Sequence, residues 1–445
     1  MAKIAFALYL LYVFLALKSD LKESRHLSNA LWVSLIWMAL CGSKSISYWL
    51  YPSTQLYSRA RFNYIEGSSF DRTFLIVFIC LGLVILYGRR DKIRDFLLDN
   101  RALILLFAYA LTSISWSAYQ GVAIKRWIRA VGDIVMALVI LTDEHPKDAF
   151  EHVIRRCGIL LIPLSLYFIK FNRVLGVGYT DDGLKEMWIG VTLHKNLLGQ
   201  LCAIICVFLL WRMLKALPKI DIFDLVCLVV SFYLLVGSHS ATSIVVFIIG
   251  ASILIGATYF GAKKKKFSRF ILASIFAVFI IQGMYLALYE RSATQAIFGA
   301  TGRDPTFTGR LPLWTDLIKI GKDRTAFGHG YGSFWLGSLT HNLWDTYVWM
   351  PTSGHNGYID VFLDLGLVGL VVLIYYCIST YRRILGSMDA DASTGKLMMA
   401  YFIMIILHNI TESSLAQPTS FLWFIFLLIS IKIPAIREPA QREHI

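Results

Sequence analysis

Apolar runs separated by short polar connectors fill most of this chain. They fall near 4–17, 28–42, 73–88, 102–115, 121–141, 153–170, 196–211, 222–238, 241–260, 269–289, 356–379, 397–411 and 419–434. Where no water reaches the backbone, an unclosed chain satisfies its N–H and C=O groups only as a helix. The pattern therefore predicts an all-α polytopic membrane helix bundle of about 12–13 spans, several of them shorter than the ~20 residues a full crossing wants. No internal repeat is evident. One connector is large, 290–355. It divides the chain into N-terminal transmembrane helices (1–289), a loop acting as a lid (290–355), and C-terminal transmembrane helices with a tail (356–445). Inside the loop, Pro312 can open a short helix through Ile320. Leu313, Leu317 and Ile320 recur at helical spacing, so this piece should lie on the membrane or on the bundle. The loop is too small to hold a core of its own.

Composition fits that class. Of 445 residues 57% are hydrophobic and 16% charged, with mean hydropathy +0.61. The net charge of +14 reads as membrane topology and not as nucleic-acid binding, because much of it sits in short loops. Basic loops 88–101, 261–269 and 380–396 belong on the cytoplasmic side by the positive-inside rule. Alternation then puts 43–72, 171–195 and 290–355 outside, with the turns near 116–121, 238–242 and 412–418, and the tail with Arg437 and Arg442 inside. Residues 4–17 read as a retained span, since no basic region or cleavage site marks a signal peptide. Seven cysteines in or beside apolar runs make small packing residues and no disulfide framework; Cys202 and Cys206 share a helix face without partners for a metal.

Chemistry concentrates where the large loop re-enters a helix. His355-Asn356 stands there, followed by Gly366 and Gly369. Histidine is among the few side chains that take up a proton near neutral pH. From His355, positions 359, 362, 366 and 369 return to nearly one helix face, and the two glycines would admit a neighbouring helix below the histidine. The plainer account is a helix cap alone. Asp360 and Asp364 take the opposite face. Asp364 should lie about 13 Å below His355, inside the bilayer, where an ion pair with a base is the simplest expectation. Arg126, Arg129 and Asp133 share a face of the helix after 121, at its outer end, against the positive-inside trend. Such guanidinium groups suit a diphosphate, with snorkelling to headgroups as the alternative. Further outer-side sets are Thr192-Leu193-His194-Lys195-Asn196, Thr301-Gly302-Arg303 and Thr308-Gly309-Arg310. Gly328-His329-Gly330-Tyr331-Gly332 reads as a tight turn near sugar, since no strand–helix context makes it a nucleotide loop. Glu412 stands at another outer helix end, as a ligand for a sugar hydroxyl, an orienter of a histidine, or an ordinary helix-end carboxylate. No metal-binding set is convincing; His408 with Glu412 is too small for one.

The His355-Asn356 pair with Gly366 and Gly369 resembles the signature of the bacterial O-antigen ligase and polysaccharide polymerase superfamily. The stretches Gly42–Trp49, Glu66–Arg72, Gly190–Asn196, Ser238–Ser243 and Gly302–Arg310 look like its exopolysaccharide (succinoglycan-type) polymerase branch. The likeness runs from about residue 42 to 420. It implies a glycosyltransferase of the GT-C-like type in the bacterial inner membrane, active on the periplasmic face. Its substrate would be an undecaprenyl-diphosphate-linked oligosaccharide, with membrane lipid around it and polysaccharide co-polymerase or export proteins as partners. No cofactor is implied, neither a metal nor a nucleotide sugar.

The expectation that follows is inverting transfer onto an acceptor sugar hydroxyl. His355 would be the base, with Glu412 or Asn356 orienting it. Arg126, Arg129 and Arg310 would meet the diphosphate, with Lys195 and Arg303 in reserve. Asn356, His194, Asn196 and Asp364 are the candidates for orienting groups or sugar. The rival within the superfamily is a ligase onto lipid A-core. The rival outside it is a transporter or flippase of lipid-linked sugars, against which the lack of visible inverted repeats and interrupted helices speaks.

Overall fold

A computed structural model describes residues 1–50, 68–94, 96–179, 185–259, 310–347 and 349–432. Twelve of the thirteen apolar runs each coincide with a helix; the run at 269–289, like the basic loop 261–269 and the tail after 432, lies outside the described residues. The helices are α1 (Ala2–Glu23), α2 (Leu31–Cys41), α3 (Ser69–Tyr87), α4 (Arg101–Ser113), α5 (Gln120–Leu141), α6 (Pro146–Phe171), α7 (Lys195–Ala216), α8 (Ile222–Gly237) and α9 (Ala241–Tyr259). Within the large loop lie α10 (Arg310–Gly321) and α11 (Ser338–Thr346), and after it come α12 (Gly357–Ala390), α13 (Ala392–His408) and α14 (Phe421–Ser430). Among the described residues one short antiparallel ribbon, β1 (Val177–Tyr179) with β2 (Glu186–Trp188), sets Val177 opposite Trp188. Five described helices are long and apolar enough to cross a membrane. The rest are shorter or, like α5, carry charge.

Local chemistry starts these helices where the sequence allows. Asp221 caps α8 by accepting from Phe223 N at 2.7 Å, Asp391 caps α13 from Ser393 N at 3.1 Å, and Pro146 opens α6. Burial then sorts them. Helices α1 and α3 are 11% and 17% buried, against 67% and 72% for α6 and α7, so the former form the lipid-facing rim and the latter the centre. All of α14 is buried. At one end, ions tie α6 to both α1 and α8: His152 Nδ1 and Arg156 Nε reach Asp20 at 2.7 and 2.6 Å, and Arg155 Nε reaches Asp224 at 2.7 Å. The basic connectors gather at this same end. Arg89 pairs with Asp143, Lys147 with Asp391, and Lys432 with Asp99. Every candidate residue that is described lies toward the opposite end.

Helix α12 is broken at Gly366, where φ is +67° and ψ −167°. A straight helix would have bonded the amides of 367 and 368 to the carbonyls of 363 and 364. Here the large loop replaces those bonds. Leu367 N donates to Thr325 O and Val368 N to Ala326 O, at 2.9 and 3.2 Å. The carbonyls of Leu363 and Asp364 accept from His329 N and Gly330 N at 2.9 and 2.8 Å, and Tyr109 Oη donates to Leu365 O at 2.9 Å. Gly328, Gly330 and Gly332 all have positive φ, which turns the loop tightly enough to deliver these amides. The glycine-rich stretch is thus a tight turn, as its composition suggests, built to finish a helix.

Three expectations change with this break. His355 does not crown a continuous seam: it precedes the Asn356 cap at φ +46°, and Gly366 meets loop backbone, with Ala326 O only 2.3 Å from where a Cβ would stand, in place of a neighbouring helix. An interrupted helix, not visible in the sequence, is present. Asp364 has no ion pair with a base among the described residues. The exposed apolar face of α12 begins at Leu367, and Leu367–Ala390 alone reaches about 36 Å at 1.5 Å per residue, enough to span. The Asp364 Oδ1 instead accepts from Ser333 N and Phe334 N at 3.1 and 3.0 Å.

The loop also holds a small apolar cluster of Leu313, Leu317, Phe334, Trp335 and Leu343, completed by Leu363 of α12. Helix α10 lies on the bundle, as its spacing predicts. A second irregular segment, 409–420, dips from α13 toward α14. Thr419 N donates to Asp133 Oδ2 at 3.0 Å, and Trp37 Nε1 to Asp133 Oδ1 at 2.8 Å. Asp133, which shares a face with two arginines, is spent on holding this irregular backbone, whose polar groups are met by protein.

Candidate active site

Two irregular segments, 349–356 and 409–420, meet at the N-terminus of α12. Asn356 Oδ1 caps that helix, accepting from Tyr358 N and Ile359 N at 3.0 and 3.2 Å. Gly357 N donates to the carbonyls of Asn409 and Glu412 at 2.9 and 3.2 Å. A Cβ at Gly357 would stand 2.2 Å from Asn409 Oδ1, so only glycine lets the two segments touch. Asn409 is fully buried and folds its own segment: its Oδ1 accepts from Ser414 N and Leu415 N at 2.8 and 3.0 Å, and its Nδ2 donates to Ile405 O and Ser414 Oγ, both at 2.8 Å. The result is to present Glu412 to His355.

His355 Nδ1 lies 3.3 Å from Glu412 Oε2. The other carboxylate oxygen, Oε1, accepts from Arg310 Nη2 at 2.8 Å and from Asn196 Nδ2 at 2.5 Å. Arg310 Nη1 also donates to Thr411 O, and Thr411 Oγ1 meets Thr242 Oγ1 at 2.7 Å. His194 caps α7 with its Nδ1 toward Asn196 N, 3.3 Å away. Residues as far apart in sequence as Asn196 and Glu412, 216 positions, are thereby brought together at one carboxylate.

Glu412 is 13% exposed. Burial alone would raise its pKa. The bond from His355 and the charges of Arg310, His355 and His408 outweigh burial and hold it down at about 2. Burial pushes His194 down; the Glu412 charge opposes this, while His355, Lys195 and Arg310 add to it. Chemically, a fixed anion on Nδ1 selects the tautomer with its lone pair on Nε2 and stabilises the imidazolium that follows proton uptake.

The sequence candidates divide into groups. His355, Glu412, Arg310, Asn196 and His194 come together. Lys195 stands at the first turn of α7 beside His194 and has no ion pair among the described residues. Asn356 acts as the cap that its position suggests. Asp364 serves the loop. Arg126 and Arg129 form a second group on α5, beneath Tyr331: Arg126 Nη1 donates to Gly332 O, and Arg129 feels the charge of Asp133 and Asp71 without a direct ion pair among the described residues. Arg303 lies outside the described residues. Asn409 escaped the sequence reading as a keystone; an asparagine just before Thr411-Glu412-Ser413-Ser414 was the available signal, because asparagine folds backbone onto its side chain.

Other stretches that resemble the exopolysaccharide branch gather at the same end. Ser47 N and Oγ donate to Asp71 Oδ1 and Oδ2 at 2.8 and 2.5 Å. Lys44 N donates to Val191 O at 2.8 Å, and Lys44 Nζ to Gly190 O at 3.2 Å.

Residues 225–374 match a family model described as O-antigen ligase. That stretch includes Arg310, His355 and the break at Gly366. Fold and matched stretch together define the class: a multi-pass helical membrane protein with a segment similar to the O-antigen ligase family. Within that class the chain is similar to the exopolysaccharide production protein ExoQ of Rhizobium meliloti (strain 1021), with 24% identity over 288 residues. The alignment covers 61% of this chain and 62% of ExoQ, so the chain spans less than two thirds of that relative's length.

Proposed function

We propose that the protein is a membrane glycosyltransferase, a polysaccharide polymerase that transfers a glycan from undecaprenyl diphosphate to an acceptor sugar hydroxyl on the periplasmic face of the bacterial inner membrane. The observation that carries this reading is His355 Nδ1 set against Glu412, itself gripped by Arg310 and Asn196.

The acceptor oxygen attacks the anomeric carbon from the face opposite the diphosphate. Its proton passes to His355 Nε2. The bond from carbon to the diphosphate oxygen breaks, and the diphosphate leaves with the electron pair, inverting the anomeric centre. Glu412 stabilises the imidazolium, which then returns its proton to the departing phosphate or to water. Such base help is typically worth ~10²–10⁴-fold in rate. Two donors of Arg310 already serve Glu412 and Thr411, so Arg310 holds the base's orienter. Charge on the diphosphate falls to Arg126, Arg129 and Lys195. The loop 310–355 acts as the lid over this end.

The expected outcome is that His355→Ala abolishes polymer while the protein still inserts and accumulates. Polymer of ordinary length made by that variant sinks the assignment. The family description favours a ligase as second reading, and the ExoQ likeness favours a polymerase. Surface-polysaccharide profiling of a deletion strain separates them: single repeat units left on the carrier mean polymerase, intact polymer on the carrier means ligase. A flippase also finds support in the break at Gly366, since interrupted helices occur in transporters. Here, though, the freed backbone groups are taken by the protein's own loop. Reconstitution decides this too, because a flippase moves labelled lipid between leaflets and a polymerase lengthens it.

A further inference from the structure

Beside His355 the large loop presents a line of aromatic rings. Tyr347 and Trp349 have centroids 6.1 Å apart, and Trp349 and His355 5.5 Å apart at 51°. The segment that carries them is pinned from several sides. Tyr347 Oη donates to Asp316 Oδ2 at 2.8 Å, Trp344 Nε1 to Pro351 O at 2.8 Å, and Trp314 Nε1 to Gly354 O at 2.7 Å. Gly354 N in turn donates to Asp360 Oδ1 at 2.8 Å, which also accepts from Trp335 Nε1 at 2.9 Å. Three of these four indoles therefore spend their N–H on the protein. The exception is Trp349. It is half-buried against the loop's apolar cluster, and its N–H has no partner among the described residues. A rigid indole with one wall packed, its donor unspent, and a proton acceptor alongside is a surface for a ligand with an apolar face and polar edges.

We infer that Trp349, backed by Tyr347, is the stacking platform for the acceptor sugar ring, holding a pyranose by its C–H face so that its hydroxyls reach His355. This rests on the transfer reading above. It assigns the platform to the acceptor and not the donor, because the ring beside the base must carry the attacking hydroxyl. The indole N–H then serves a ring hydroxyl or ring oxygen. A stacking contact discriminates between sugars by which of their faces carries axial hydroxyls, so the platform also filters the acceptor.

Fluorine NMR of the full chain in detergent, labelled with 5-fluorotryptophan, tests binding apart from catalysis. Trp349→Phe deletes one resonance and so assigns it. Methyl glycosides of glucose, galactose and mannose are titrated in turn. At least one should shift the Trp349 resonance, in the parent protein and in His355→Ala alike. A resonance that none of the three moves overturns the platform. In membrane vesicles supplied with lipid-linked repeat units, Trp349→Ala should raise the apparent KM for the repeat unit roughly tenfold with kcat within about threefold, and Trp349→Phe should recover most of the loss. An unchanged KM, or a loss confined to kcat, equally overturns it. Failure of the transfer reading shows elsewhere, as polymer made by His355→Ala, and leaves the fluorine result standing.

Discussion

Glu412 meets three partners with two oxygens, and its charge strengthens their bonds. Its pKa of about 2 lies below the ordinary 4.5, so the charged form stabilises the fold. That contribution is complete above pH 4.5, fades as pH falls, and is gone below about 2. Each tenfold change in proton affinity corresponds to roughly 1.4 kcal/mol, which makes the contribution on the order of 3 kcal/mol. Glu412→Gln should therefore melt several degrees below the parent protein at pH 7, and the gap should narrow as pH is lowered from 4.5 toward 2 in detergent. A gap that stays constant across that range shows that Glu412 is not held ionised by its neighbours. Both members of the dyad were visible in the sequence, because a histidine and a carboxylate at the ends of membrane helices are costly and conspicuous. Their mutual distance was not. Neither was Asn409, whose work is done through backbone bonds that no residue pattern displays.

Helices carry the same lesson at the next size up. Apolar period and length located twelve of them, since the bilayer leaves a long apolar run no other form. The break in α12 stayed hidden because Gly366 lies inside an unbroken apolar run, Leu365 to Ile374, where a glycine reads equally well as a packing residue. What turns it into a break is the loop from Thr325 to Phe334, whose amides and carbonyls are in place only after folding. At φ +67° and ψ −167° the backbone is in a region open essentially to glycine, at a cost of ~1–3 kcal/mol for any other residue. The Cβ of an alanine would also meet Ala326 O at 2.3 Å, backbone that cannot swing aside. Gly366→Ala should thus loosen the loop from the helix. Limited proteolysis within 322–337 should quicken several-fold, and polymer should be lost with it. Unaltered protection together with full polymer would mean that the helix tolerates straightening and that the loop is held elsewhere.

Across the whole molecule, charge and chemistry divide between two ends. Arg89, Lys147, Arg155 and Lys432 pair off with carboxylates at one end, where Arg383 also donates to Asn100, among loops the positive-inside rule assigns to the cytosol. The dyad, its arginine and the loop with the aromatic platform occupy the other. Sugar transfer from a lipid-linked donor needs that second end to face the compartment where the polymer is built, so the bundle's direction is the strongest global test of the reading. Asp345, on α11, and Ala390, at the end of α12, are both exposed and lie at opposite ends. Cysteines placed there one at a time, in a background with exposed Cys80 changed to serine, report the direction. Asp345→Cys should react with a membrane-impermeant maleimide in intact cells, and Ala390→Cys only after the inner membrane is opened. The reverse pattern would put His355 in the cytosol, away from any periplasmic acceptor. The dyad would then need another substrate, although every contact around Glu412 would remain as it is.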